Sequence, residues 1–479
     1  MPDGLERLTI LHTNDIHSQF EQMPKIKSYI DAIKQVVDAD HVLILDIGDH
    51  MDRMRLETEG TLGQVNIEIL NESGYEFMVL GNNEGLTFTP EVLERTFRDH
   101  AKFQVIASNL IETSTMQPSL WMNPYVIVHK SNLRIGLIGV TAAYTVYYEL
   151  LGWQAIDPIL AISHYVDVLR EQVDVLIVMS HLGLGMDQRI ANEIQGIDII
   201  LGGHTHHLLE QPLVIGSTSI CAAGKLGQHV GHVTVTFDRQ ANQIREIVAR
   251  ADEVSHLPND RDIEVLIARH RAWSNQVLDQ EVTHLQEPLD VDWYSESRLG
   301  NLLASGLRTW TNAEIGLVNS GQLLHGLKQG RVTRAILLEI CPGPINPCSI
   351  KLRGVHLLQA FEESLQSEYT GKPIRGFGFR GEVLGMLHVD GVRIHYDRKL
   401  PPMKQITAVY VNHEPLELER EYLVGTIDMF TFGVGYLSLS QGTEITYRLP
   451  EFLRDVLCTQ LCDATALHHS QLMQNWFSQ

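Results

Sequence analysis

From Leu8 to about Phe237, short apolar runs alternate with amphipathic stretches. Runs of this length bounded by polar or glycine residues predict buried strands at Leu8–Leu11, Val42–Asp46, Phe77–Leu80, Val105–Ser108, Arg134–Val140, Val175–Ser180, Ile197–Leu201 and Val230–Phe237. Between them, helical spacing of apolar positions predicts helices at Lys25–Val37, Gly63–Asn71, Ile159–Glu171 and Asp187–Glu193. Strands interleaved with helices make a layered α/β domain, and the polar clusters at the strand ends are where its loops would carry function.

The pattern changes between Ala249 and Thr283, where the breaker Leu257-Pro258-Asn259-Asp260 precedes a charged run, Asp260–Trp273, with helical character. The run predicts an interdomain helix; a helix packed wholly on the first domain fits the pattern equally well. Beyond it, a helix at Leu299–Trp310, strands at Ala313–Leu317, Val392–Tyr396, Ala408–Val411 and Tyr422–Ile427, and several glycine-rich turns form a stretch long enough for its own core. The expected organisation is a domain over 1–250, a linker helix within 251–284 and a second domain over 285–479.

Length agrees with this division, since 479 residues exceed what one hydrophobic core organises. Apolar residues at 44% and charged residues at 20% are ordinary for a globular protein. The formal charge of −22 argues against a nucleic-acid polymer or an anionic membrane surface as partner, because both need a positive footprint. A site for an anionic substrate would have to supply local positive charge, most simply as metal ions. The start, Met1-Pro2-Asp3-Gly4-Leu5-Glu6-Arg7, lacks the basic opening and apolar core of a signal peptide, and no run approaches a membrane span; the expectation is a soluble cytoplasmic protein. Five sparse cysteines fit reduced thiols better than a disulfide framework.

Candidate chemistry gathers where apolar runs stop. His12-Thr13-Asn14-Asp15-Ile16-His17 follows the first run, Gly48-Asp49-His50-Met51-Asp52-Arg53 the second and Gly81-Asn82-Asn83-Glu84 the third. His181 ends the Val175–Ser180 run, and Gly202-Gly203-His204-Thr205-His206 follows Ile197–Leu201. Together they offer two carboxylates, one amide oxygen and four imidazoles, too many ligands for one metal. A pair of divalent ions sharing Asp49 uses them evenly: Asp15, His17 and His206 complete one site, Asn82, His181 and His204 the other. Such a pair would activate a water or hydroxide held between the ions and clamp phosphate oxygens. Asn14 would orient a ligand or loop from behind.

These clusters, in this order, resemble the calcineurin-like metallophosphoesterases, and within them the 5′-nucleotidase and cyclic-nucleotide phosphodiesterase family, whose opening motif reads as His12–His17 does. The resemblance implies a four-layer αββα metallophosphoesterase sandwich followed by a C-terminal α/β substrate domain of 5′-nucleotidase type, joined by a helix about which the domains rotate. It implies two divalent metal ions (Mn, Zn, Fe, Co or Mg). It also implies hydrolysis of a phosphate ester of a nucleotide, cyclic nucleotide or related small metabolite by in-line attack of a metal-bound hydroxide.

The chain departs from that family at one point of chemistry. Where the family motif reads Gly-Asn-His-Glu, with a histidine thought to stabilise the transition state or protonate the leaving group, Asn83 stands instead. An amide donates a hydrogen bond but transfers no proton at neutral pH, so the alternative is a catalytically weak metal- and nucleotide-binding sensor. Two residues are candidate substitutes. His50 is the nearest acid in sequence, and Arg53, in a pattern similar to the Ser/Thr protein phosphatases, could clasp phosphate unless it pairs with Asp52 on the surface. In the second domain, Ser297–Asn301 and Val318–Gly321 look like family turns, but the phosphate-binding Arg aligns with Leu324. Phe377 and Tyr436 fall about where the family stacks a base, with core packing an open alternative, and Asn319, Arg375 and Arg380 are candidate polar contacts.

Overall fold

The computed structural model describes residues 4–479, which divide into two compact units meeting in sequence at Ser274 and Asn275. In the first unit, the strands Leu5–Thr13, Val42–Asp46, Phe77–Val79 and Gln104–Ile106 lie side by side and parallel in a seven-stranded sheet. Antiparallel His229–Asp238 and Gln243–Glu253 extend one side, and Met122–Asn123 closes the other. A six-stranded sheet centres on parallel Leu133–Thr141, Val175–His181, Ile199–Gly202 and Thr218–Cys221.

The two sheets share one core, with Ile10, Leu45 and Val79 from the first meeting Leu137, Ile177 and Leu201 from the second. The next residues along the second sheet, Ile138, Val178 and Ile200, face the opposite way onto Ile162 and Val166 of helix Pro158–Leu169 and Ile190 of helix Leu184–Glu193. Successive strand residues point to opposite faces, so a strand covered on both sides must be apolar throughout; this is why these strands read as unbroken runs. Each side chain so buried contributes about 1.5–3 kcal/mol. Helices Met23–Val36 and Gln64–Ser73 belong to the same αββα unit. Every parallel strand runs toward the same end of its sheet, and the polar clusters leave from that end.

Helix Arg261–Leu278 crosses the sequence boundary between the units. Within the first unit, its His270 ring lies 2.9 Å from Glu68, Arg271 is 2.6 Å from Glu57, and Ser274 Oγ donates to the Glu57 carbonyl at 3.2 Å.

The second unit is a separate α/β body. Its five-stranded sheet runs Leu387–Asp390, Ile315–Asn319, Glu421–Ile427, Pro347–Arg353, Thr443–Tyr447, and a four-stranded sheet includes Val392–Tyr396 and Ile406–Val411. Helix Arg298–Thr311 buries Leu299, Leu302, Leu303 and Leu307, the i, i+3, i+4, i+8 stripe that made it legible. All five cysteines are unpaired. Among the described residues, no helix is long and apolar enough to cross a membrane.

Candidate metal centre

The loops after Leu5–Thr13 and Val42–Asp46 continue side by side beyond the sheet, zipped by backbone hydrogen bonds. Asp15 N–H donates to Gly48 O at 3.0 Å, His17 N–H to Asp49 O at 2.9 Å and Ser18 N–H to His50 O at 2.8 Å. This ladder holds residues in a conformation they rarely adopt. Asp15, His17, Asp49, His204 and His206 all have positive φ, from 48° to 73°. Left-handed non-glycine residues cost of order 1–3 kcal/mol each and persist only where the surroundings over-determine them. Gly48 and Gly81 permit the close approach: a Cβ on Gly81 would fall 2.1 Å from Asp49 Oδ1, and one on Gly48, at φ 86°, only 2.5 Å from Gly81 N.

Two groups of side chains converge here. Asp15, His17 and His206 bring one ligand atom each within 4.8 Å of one another, and so do Asp49, His181 and His204. His17 Nε2 is 3.2 Å from His206 Nε2 and 3.9 Å from a carboxylate oxygen of both Asp15 and Asp49. Asp49 faces both groups: Oδ2 lies toward His17, and Oδ1 is 3.3 Å from His181 Nε2. His181 Nδ1–H donates to Ile47 O at 2.7 Å, which sets Nε2 as the inward nitrogen. Asn14 ties the first group to the scaffold, with Nδ2 donating to Asp15 Oδ2 and to Gly224 O, both at 2.7 Å, and Oδ1 accepting from Ala223 N–H.

Asp15 and Asp49 are buried, and every ion pair they make is with a histidine. Burial raises the Asp15 pKa. In Asp49 burial acts the same way, but His181 and His17 outweigh it and hold the carboxylate ionised. Burial pushes His204 and His206 down to about 4, with His181 and His17 adding to the effect at His204 and His17 and Lys225 at His206, so both rings are neutral donors at pH 7. Asn82 Oδ1, closed off from solvent, has no hydrogen-bond partner among the described residues. Two buried carboxylates, four imidazoles and an unpartnered amide oxygen make a donor set that fits two divalent cations.

The residue types in this arrangement are matched by kinship. Residues 8–208 match the calcineurin-like phosphoesterase family, and residues 280–438 match the 5′-nucleotidase C-terminal domain. An uncharacterised metallophosphoesterase of Bacillus subtilis, YunD, is 36% identical over 460 residues, covering 95% of this chain and 99% of its own. This chain belongs to the metallophosphoesterase family. Human 5′-nucleotidase is 24% identical to this metallophosphoesterase over 492 residues, covering 88% of this chain and 82% of its own. A 5′-nucleotidase precursor of Thermus thermophilus superimposes with a TM-score of 0.61 at 22% identity over 99% of both chains. The NAD nucleotidase of Haemophilus influenzae does so with 0.68 at 16% identity over 99% of this chain and 98% of its own. At such identities these two likenesses show the shared fold.

Four expected site residues of the metallophosphoesterase take other roles. His50 is fully buried, its Nδ1 3.2 Å from Asn66 Nδ2, and burial, with His17 nearby, pushes its pKa down to about 3; it is a neutral interior ring and no proton donor. Arg53 gives its fork to Glu59, Nε to Oε2 at 2.7 Å and Nη2 to Oε1 at 3.0 Å, donates Nη1–H to Thr87 O and lies over Phe88. A guanidinium clasped bidentately by a carboxylate is not presented to phosphate. Tyr436 is 0% exposed, stacked on Tyr369, with its hydroxyl donating to Gly385 O at 2.7 Å, which makes it core. Asn319 is likewise buried, bonded to Leu384 O and Gln322. Arg375 and Phe377 are exposed and Arg380 half-buried.

Two residues escaped the sequence reading. Phe432, 42% exposed, stacks near Phe377, 56% exposed, with centroids 6.1 Å apart and planes 28° apart. It opens the Phe432–Tyr436 segment, and only the fold tells which aromatic is outward. Tyr144, at the end of strand Leu133–Thr141, places its hydroxyl 3.3 Å from His204 Nε2. Thr141 pairs with His181 across the sheet, so the strand order was the signal that could have found it.

Proposed function

We propose that this metallophosphoesterase hydrolyses a phosphate ester of a nucleotide, cyclic nucleotide or related small phosphorylated metabolite at a dinuclear centre. Asp15, His17, His206 and a shared Asp49 would hold one ion; Asn82, His181, His204 and Asp49 the other. The observation that carries the reading is Asp49, whose two oxygens face the two ligand groups separately. Two bound dications would lower the pKa of a water nucleophile and neutralise charge on the phosphoryl oxygens. The chain's own contribution is a preset cage: strained, hydrogen-bonded loops hold the donors in place before substrate arrives. Membership of a hydrolase family with both ligand groups assembled weighs against a catalytically weak sensor.

Turnover of an aryl phosphate with Mn or Co, followed by a panel of nucleotides, cyclic nucleotides and dinucleotide cofactors, tests the reading. Protein shown to hold two ions yet inert toward every ester would sink it. Metal should also stabilise the fold, because a ligand bound only by the native state at a hundred times its Kd adds about 2.7 kcal/mol per site. Thermal melts with Mn and with a chelator check this; coincident curves would count against the centre.

In the second unit, the outward pair Phe377 and Phe432 supports base recognition, with Arg375 and Arg380 as polar neighbours. Aromatic stacking on a base contributes about 1–3 kcal/mol, so Phe432→Ala should raise KM for a nucleotide roughly 5–150-fold. KM for an alkyl phosphate, which has no ring to stack, should stay unchanged. Equal effects on both substrates would remove the pair from the base site.

A further inference from the structure

We propose that Asn83, standing where the resembled family has a catalytic histidine, is a positioning residue for His17, turning that ring's inner nitrogen to its ion. The inference rests on the dinuclear reading above. His17 presents two unlike nitrogens: Nε2 looks inward to His206, Asp15 and Asp49, and Nδ1 looks outward, 2.9 Å from Asn83 Nδ2 and 3.8 Å from Asp52 Oδ2. For Nε2 to give its lone pair to a cation, Nδ1 must keep a hydrogen, and that hydrogen needs an acceptor. An asparagine amide offers both a donor and an acceptor end. With Nδ2 toward the ring, as here, it serves the tautomer in which Nε2–H is directed at His206 Nε2. With Oδ1 toward the ring, it receives Nδ1–H and leaves Nε2 open to metal.

Turning Oδ1 to the ring exchanges the two other side-chain contacts of Asn83, to Met51 O and from Asn82 Nδ2, for the bond from His17 Nδ1–H, while its backbone contact stays. Here the Asn83 backbone N–H donates to Asp49 Oδ1 at 2.7 Å, its Nδ2 also to Met51 O at 3.1 Å, and its Oδ1 lies 3.3 Å from Asn82 Nδ2. One residue thereby touches three candidate ligands, two through its side chain and one through its backbone. That division separates the roles experimentally, because alanine removes the amide but keeps the N–H that steadies Asp49.

The test is calorimetric titration of Mn into metal-free wild type, Asn83→Ala and Asn83→Asp, with 15N-histidine spectra of the His17 ring. Losing a partner of this kind costs metal affinity about 10–100-fold. Asn83→Ala should weaken one of two binding steps by that factor, spare the other, and lose the single Nδ1–H tautomer of metal-bound His17. Asn83→Asp, whose carboxylate accepts Nδ1–H, should restore both the affinity and the tautomer, which keeps the test decisive even if the alanine variant folds poorly. Wild-type affinities in Asn83→Ala, equal weakening of both steps, or a weakened step in Asn83→Asp would each overturn the proposal. Wild type that binds no Mn would overturn the dinuclear reading itself.

Discussion

Asp49→Ala is expected to reduce ester hydrolysis by more than about a thousandfold, a rise of at least about 4 kcal/mol in the barrier. The size follows from position. Oδ2 faces His17 and Oδ1 faces His181, so one substitution removes the only donor the two groups share. Folding should suffer as well: the repulsion from Asp15 and Glu84 is relieved, but buried His181 loses the carboxylate 3.3 Å away, which outweighs that relief. Alanine also orphans the Asn83 N–H, which Asp49→Asn keeps paired through Oδ1. The asparagine variant should therefore melt above the alanine variant in chelator, though below the wild type because the charge facing His181 is gone, yet show the same loss of turnover. Kinetics with saturating Mn, together with metal content after dialysis, check both; Asp49→Asn with two ions and wild-type turnover would refute the shared-ligand role.

What could be read from the residues follows where burial imposes a pattern. Strands covered on both faces, such as Val42–Asp46 and Val175–His181, must be apolar throughout, and their ends announce themselves by the first Asp, Gly or His. That is why both ligand groups could be assembled from the sequence. Strand Gln243–Glu253 escaped because it lies at the edge of its sheet, mostly outside the core, and carries charges no burial forbids. The roles of Arg53, His50, Tyr436 and Phe432 turn on partners that sequence spacing does not reveal. Arg53 meets Glu59 only because the short helix Leu56–Thr61 turns that carboxylate back; His50 and Asp49 are neighbours in the chain, one turned into the interior and one toward the ligands. Positive φ at Asp15, His17 and Asp49 leaves no trace in residue type, since glycine's usual signal is missing there.

Glu84→Ala should produce the largest loss of stability around the site, although Glu84 belongs to neither ligand group. Its carboxylate is 0% exposed and accepts three backbone N–H groups: Asp49 at 3.0 Å, Met51 at 2.7 Å and Gly81 at 2.8 Å. One side chain thus pins the loop after Val42–Asp46 to the loop after Phe77–Val79. Alanine leaves all three buried donors unpaired at about 1–3 kcal/mol each; with partial relaxation the sum is about 3–5 kcal/mol, or roughly 5–9 °C in Tm for a unit of this size. Glutamine keeps one acceptor oxygen but turns an NH2 against N–H donors, so Glu84→Gln should fall between alanine and wild type. Because the freed loops carry Asp49, Asn82 and Asn83, turnover should drop along with metal affinity, whereas a purely structural prop remote from the site would lower Tm alone. Melting curves in chelator and manganese titrations of both variants decide the matter. A Glu84→Ala protein that melts within about 2 °C of wild type would show that the loops are held by their backbone ladder and not by this carboxylate.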